Sequence, residues 1–275
     1  MVTTSETLPR FGKPPVIETV LGVYFRPLEK FTSAHQGLLW ERCFRAQFPN
    51  VEERPPVEEV RERFGEERLS PPTVRWEVFE RPPAPRLWAA SDNGQHVVQM
   101  QKNALFANWL KTGEEATYQP YCERRQEFSR HLSEVEGFFR EEQIGRLEPT
   151  SWSVTYINHI DYEGRHDIGP VVARTLSVWA NQFSDDWLHA ADKLVLDIAF
   201  PLPDDAGRLN VSLRPAVVLS DKRPVLRLDL TARGQLKTRD LASALAGIDL
   251  GHEWVVRGFA SLTRPEMHRA WERMR

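Results

Sequence analysis

The pair His252-Glu253 is the first place where this chain offers a chemistry. On a helix, His-Glu-x-x-His sets two imidazoles on one face for zinc and a glutamate beside the metal-bound water. Here the fifth position is Val256, so the second ligand is missing. His252 is therefore read as a helical histidine that hydrogen-bonds locally or to a sheet. His159 and Asp161 share one face of a strand pattern, and Asp197 and Asp229 lie in strands that could bring carboxylates alongside, the makings of an acid–base pair. The polar face of an antiparallel sheet has the same composition without any chemistry, and that is the preferred reading. Tyr156 and Asn158 fall on the face shared with Trp152, Val154 and Ile160. An inward asparagine among large apolar groups must find hydrogen-bond partners. Asn158 either ties strand to helix or holds a ligand or a partner's backbone.

The common catalytic cradles are missing. The chain has no G-x-S-x-G elbow, no G-x-x-x-x-G-K-[ST] loop and no G-x-G-x-x-G loop, which excludes nucleotide hydrolysis through the usual phosphate cradles. Asp185-Asp186 and Asp204-Asp205 read as turn and cap residues. No metal or cofactor is implied.

Composition narrows the class further. With 275 residues, 41% of them hydrophobic and 27% charged, the chain can bury a core unaided. A net charge of -3 lacks the clustered basic footprint of a general nucleic-acid binder. Cys43 and Cys122 sit in separate helical patterns without C-x-x-C spacing, so neither a disulfide framework nor a zinc site is expected and a reducing cytoplasm fits. The N-terminus has no apolar signal region, and no apolar run approaches the roughly 18 residues that would span a bilayer.

Hydrophobic periodicity supplies the elements. Residues 1–14 read as a disordered lead. Ile17, Leu21, Val23 and Phe25 lie on one face of a strand, and Thr32 or Ser33 caps a helix marked by Trp40, Phe44 and Phe48. Residues 50–72, rich in proline and glutamate, read as an exposed excursion with a short helix around Val57–Phe64; its presence in one half only marks a side where a partner docks. Strands follow at Val74–Phe79, Arg86–Ala90, Gln95–Lys102 and Leu105–Leu110, with Asn93-Gly94 turning the central hairpin. Tyr121, Phe128, Leu132, Val135 and Phe139 then trace a long helix between Pro120 and Gly145.

The same order recurs in the second half. A strand carries Trp152 to Ile160, a helix is marked by Val172, Leu176, Trp179 and Phe183, and three strands centre on Leu196, Val211 and Leu228. Helical sequence follows with a break near Gly247–Asp249, then a capping box at Thr263–Glu266. The expected fold is α+β: internally duplicated β-α-β-β-β-α units, residues 15–149 and 150–275, the second with an extra C-terminal helix. Their antiparallel sheet packs on long helices in a TATA-box-binding-like or helix-grip-like style, a likeness of architecture that imports no function.

Four stretches stand out together: Pro14-Pro15-Val16-Ile17-Glu18; Val98-Gln99-Met100-Gln101 with Phe106, Asn108 and Trp109; Tyr156-Ile157-Asn158; and His252-Glu253 with Phe259 and Thr263. In these the chain resembles an uncharacterised, sporadically distributed prokaryotic protein family with no assigned activity. That family has a basic residue where this chain has His159, and leucine where it has Gly251. The candidates for contact with a ligand or partner are thus Asn108, Trp109, Tyr156, Asn158, His159 and His252. The expected function is a non-enzymatic binding module for a protein partner, and the sporadic distribution implies an accessory bacterial system such as defence or toxin neutralisation. A homo-oligomer remains open. The alternative is a small-molecule-binding protein or hydrolase with its pocket between sheet and long helix.

Overall fold

Alternation of apolar and polar residues is clearest in the strands of the second half, and the pairing of all the strands makes one antiparallel sheet. The computed structural model of the chain describes residues 7–65, 84–113, 116, 118–162, 168–180, 187–189, 191 and 193–274. The first half contributes β1 (Val16–Phe25), α1 (Ser33–Leu39), β2 (Asn50–Arg54), β3 (Arg86–Ala90), β4 (His96–Gln101), β5 (Ala104–Leu110) and α2 (Tyr121–Glu141). The second contributes β6 (Pro149–Asp161), α3 (Gly169–Thr175), β7 (Leu196–Pro201), β8 (Arg208–Val217), β9 (Pro224–Gln235), α4 (Leu241–Leu262) and α5 (Pro265–Ala270). The sheet order is β2-β3-β4-β5-β1-β6-β9-β8-β7. Read outward from the central β1–β6 pair, β5-β4-β3 on one side mirrors β9-β8-β7 on the other, and β2 is added at the first half's edge. The protein is α+β, as the element pattern predicts.

One face of this sheet carries the core. Leu21, Val23 and Phe25 of β1 and Trp152 and Val154 of β6 lie under α2 and α4, joined by Phe128, Leu132 and Phe139 from α2 and Ile248, Val255 and Phe259 from α4. The space between the sheet and its two long helices is therefore filled by side chains, where the alternative sequence reading sets a pocket. The Asn93-Gly94 turn forms as expected, with Gly94 at φ +67°.

Several expectations are corrected. Gly247–Asp249 does not break the last long helix; α4 runs through it from Leu241 to Leu262. The glycines serve contact instead: a Cβ at Gly247 would lie 2.2 Å from the Trp152 ring and one at Gly251 2.6 Å from it, so α4 crosses an indole that leaves no room for side chains. This is why Gly251 stands where the family likeness leads one to expect leucine. Residues 7–14 are not a disordered lead. Phe11 packs edge-on against Phe259 and Trp271, and the Gly12 amide donates to the Glu272 carbonyl (2.9 Å), so the segment seals α5. The helix expected through Phe183 is only the short α3; Leu176 leaves it to bridge to Thr263, and Phe183 lies outside the described residues. The strand expected at Val74–Phe79 also lies outside them. Thr263 forms no capping box: Arg264 is the N-cap of α5, and the Thr263 hydroxyl is shared between the Phe259 carbonyl (2.7 Å) and His268 Nε2 (2.8 Å). No helix among the described residues is long and apolar enough to cross a membrane.

The Trp152 contact gives a test of the packing. Gly247→Ala should gain about 1 kcal/mol of helix propensity and lose about 1–3 kcal/mol to overpacking against the indole. The expected outcome is a lowered urea midpoint, with much of the loss recovered in the Gly247→Ala/Trp152→Phe double variant.

Candidate functional site

The face of the sheet opposite the helices is polar, and its groups are already connected. From Glu18 onward the even-numbered residues of β1, with the even-numbered residues of β5 and the odd-numbered ones of β4, β6 and β9, point to this face, because strand side chains alternate. Arg86 Nη1 donates to Gln99 Oε1 (2.6 Å), Gln99 Nε2 to Asn108 Oδ1 (2.6 Å), and Asn108 Nδ2 to Glu18 Oε1 (2.5 Å). This row steps from β3 across β4 and β5 to β1, one residue per strand. Burial raises the Glu18 carboxyl above the ordinary range against the opposing effect of the Asn108 amide. On β9, Arg227 Nε contacts both carboxylate oxygens of Asp229 at 2.9 Å, and Thr155 and Thr231 share a hydroxyl contact of 3.0 Å across β6 and β9. All of these groups except Asp229 line a groove of about 500 Å³, with Tyr24, Trp88 and Phe106 as its apolar walls.

One end of the groove is closed by the chain's own residues 55–64. Leaving β2 through Pro55-Pro56, this segment crosses the open face in order of the strands beneath it. Val57 exchanges two hydrogen bonds with the Gln101 side chain of β4, its amide donating to Oε1 (2.9 Å) and its carbonyl accepting from Nε2 (2.8 Å). The Glu58 carbonyl accepts from the Tyr24 hydroxyl of β1 (3.3 Å), and the Glu59 carboxylate accepts from Ser151 (2.8 Å) and Thr150 (3.3 Å) of β6. Glu62 is bound by Arg233 of β9 (2.5 Å) and by Arg208 (3.1 Å) and Asn210 (2.9 Å) of β8. The Arg63 carbonyl accepts from Arg208 (2.9 Å), whose guanidinium covers the Phe64 ring at 5.1 Å.

The segment is extended, not the short helix read at Val57–Phe64. Crossing from β4 to β9 spans four strand spacings, about 19 Å. Five extended residues reach roughly 17 Å, which side chains complete, whereas the same five in a helix would rise only about 7.5 Å. The excursion is thus exposed, as expected, but extended and tied to the sheet as a strap.

The six sequence candidates divide between the two faces. Asn108 lies in the groove. Trp109, next along β5, points to the helices and packs edge-on against Tyr118 with ring centres 5.3 Å apart. Tyr156 and His252 do come together, also beneath the helices: the Tyr156 hydroxyl contacts His252 Nδ1 at 3.0 Å and Tyr118 Oη at 2.9 Å. Tyr121 stacks flat on His252 at 3.6 Å and donates to Asp249 (2.6 Å), which Arg125 also grips. This set bolts α4 to α2 and β6. Burial raises the Tyr156 hydroxyl well above its ordinary range and lowers His252 to about 4, so neither group exchanges protons near neutrality. Asn158 ties β6 to β9, its amide donating to the Leu228 carbonyl at 3.0 Å.

His159 faces the open side but not a carboxylate partner. Arg227 stands directly across from it in the ladder, and Asp161 pairs with Arg223. Burial and then Arg227 depress its pKa. Asp197 lies opposite Ser212, three strands from His159. The His-carboxylate pair considered from the sequence therefore does not assemble. Glu253 pairs with Arg257 one turn along α4, and no cluster of three or more metal-ligating side chains occurs among the described residues.

Sequence reasoning missed Glu18, Arg86, Gln99, Arg208 and Arg233 as members of one face. The signal available was polar residues at alternate positions of strands whose other positions are apolar. No protein-family model and no curated protein matches this chain.

Two buried imidazoles set an acid limit on the fold. His131, between the Phe44 and Phe48 rings, has no hydrogen-bond partner on either nitrogen, and burial lowers it to about 4 although Glu127 opposes the shift. His252 is lowered to the same value. The unfolded chain binds these protons near pH 6.5, so stability is full above that pH and falls as pH drops from about 6.5 to about 4. Glu18, raised on folding, acts in the opposite sense. The urea midpoint should decline through this window in wild type and less steeply in His131→Leu.

Proposed function

We propose that this chain is a non-enzymatic binding module that recognises a protein partner across the open face of its sheet. The observation that carries this reading is the strap: an extended peptide segment already rests on that face through bonds to its backbone and its carboxylates. Bonds to the backbone of an extended segment, with side chains selected separately, are a common basis for peptide recognition. The other groups suited to acid–base chemistry argue the same way, since Tyr156 and His252 are consumed in joining helices to sheet. The setting we propose is a cytoplasmic accessory bacterial system, such as defence or toxin neutralisation, on the strength of the family likeness. The free thiols of Cys43 and Cys122 suit a reducing compartment.

A photo-crosslinking residue at Thr231, in the groove, should capture one stoichiometric partner in the native host, while the same residue at Glu123, exposed on α2, should not. Equal capture from both positions, or none from the groove, would sink the reading.

The groove supports a second reading as a small-molecule site, moved from the helix side to the strap side. Its volume of about 500 Å³ lies within the range of roughly 300–1,000 Å³ usual for ligand pockets. A metabolite that raises the melting temperature of wild type but not of Asn108→Leu would favour it.

A further inference from the structure

We infer that residues 55–64 occupy a seat for an acidic extended segment of another protein, one carrying glutamates three residues apart and an aromatic two residues beyond. The inference rests on the interface reading above and names the chemistry of its partner. The seat's recognition elements are fixed to five strands and read few features of the occupant. Gln101 reads the backbone of one residue, Val57, through both its N–H and its carbonyl. Ser151 and Thr150 read the first carboxylate, at Glu59. Arg233, Arg208 and Asn210 read the second, at Glu62, whose side chain is only 8% exposed. Arg208 then covers the aromatic ring of Phe64.

Charge decides the class of occupant. Arg208, with its side chain 11% exposed, and Arg233, with 26%, converge on the Glu62 carboxylate. Two guanidiniums held this close, this far from water, favour a carboxylate over any neutral or basic group. A segment lacking the second acid would leave them facing each other uncompensated. The contacts at Val57, Glu58 and Arg63 go to backbone atoms, so the side chains at these positions are free to vary, and between the acids Arg61 pairs with Glu59 rather than with the sheet. The recognition pattern is therefore Glu-x-x-Glu-x-aromatic in an extended chain. The strap, tethered on the same chain, competes at an effective concentration in the millimolar range. An outside segment enters when its additional contacts along the groove exceed that advantage.

The test uses full-length protein and a fluorescein-labelled synthetic peptide of residues 55–65. In Glu59→Ala/Glu62→Ala the strap loses both acids and the seat keeps its arginines. The peptide should bind this variant at least about tenfold more tightly than wild type, a difference of roughly 1.4 kcal/mol. Binding should weaken as salt rises from about 0.05 to about 0.5 M. A peptide with lysine at both acid positions should not bind. If the double variant does not fold, Glu62→Gln, which keeps an acceptor for Asn210, takes its place with the same expectation. A folded variant that binds the peptide no better than wild type overturns the inference. A wild-type dimer that grows with concentration and disappears in Glu62→Gln would give the seat to a second copy and overturn it as well. Failure of the peptide with successful capture through Thr231 removes only this seat; binding of the peptide with no captured partner removes only the wider reading.

Discussion

The fold depends on the antiparallel pairing of β1 with β6. Each half taken alone would end in an unpaired strand edge at this seam, with a row of amides and carbonyls open to any other strand. Pairing the two edges makes one sheet of nine strands and lets a single core form under both long helices. The register also sorts chemistry between faces. Leu21 pairs with Val154 and Val23 with Trp152 on the helix side, while Gly22 pairs with Ser153 and Val20 with Thr155 on the other. A shift of one residue would exchange these sets. The irregularity between Val16 and Glu18 turns Val16 towards the helices opposite Asn158 and leaves Glu18 on the open face opposite Ile157.

That sorting explains why the two polar networks have different characters. The Tyr118–Tyr156–His252 set is surrounded by the core, and in so dry a place its hydroxyls and imidazole must satisfy one another. It fixes how α4 sits on β6, and Trp152 beneath Gly247 and Gly251 fixes how closely. The open-face row from Arg86 to Glu18 is buried at its amides but borders the groove. Each of Gln99 and Asn108 uses one amide hydrogen and its oxygen within the row. Each keeps a second amide hydrogen in its inventory of donors. The helix face spends its polar groups on joining helices to sheet, whereas the open face joins its own into a row beside the groove.

Much of this was legible in the sequence, and the boundary has a physical cause. Strands were readable because burial on one face imposes a period of two, and α2 because Phe128, Leu132, Val135 and Phe139 fall on one side of a helical turn. The Asn93-Gly94 turn is local chemistry and formed as read. The strap was not readable. Val57-Glu58-Glu59-Val60-Arg61-Glu62 has a helical pattern of apolar and charged residues, and the groups that override it are distant: Arg208 lies 145 residues beyond Arg63 and Arg233 lies 171 beyond Glu62. Gly247 misled for the same reason, since the indole that requires it comes from β6. Among site candidates, Tyr156 and His252 were identified as residues, but their meeting depends on α4 passing unbroken over the sheet. Asn108 was identified through the family likeness and proved to be the centre of a row whose other members belong to separate strands.

The strap also changes what the asymmetry between the halves means. Beyond α5, the halves differ at β2 and the segment that follows it, and that segment leaves the first half to bind the second. Its contacts on β4 and β1 use neutral groups, Gln101 and Tyr24, while those on β9 and β8 use Arg233 and Arg208. Neutral hydrogen bonds to backbone contribute about 1 kcal/mol each and accept almost any sequence. The half-buried arginines instead require a carboxylate to balance them, and Glu62 supplies it. The strap's arginine contacts thus lie in the second half, and its Gln101 and Tyr24 contacts in the first. The pseudo-symmetric sheet supplies a continuous surface, and the distribution of charge across its seam gives that surface a direction.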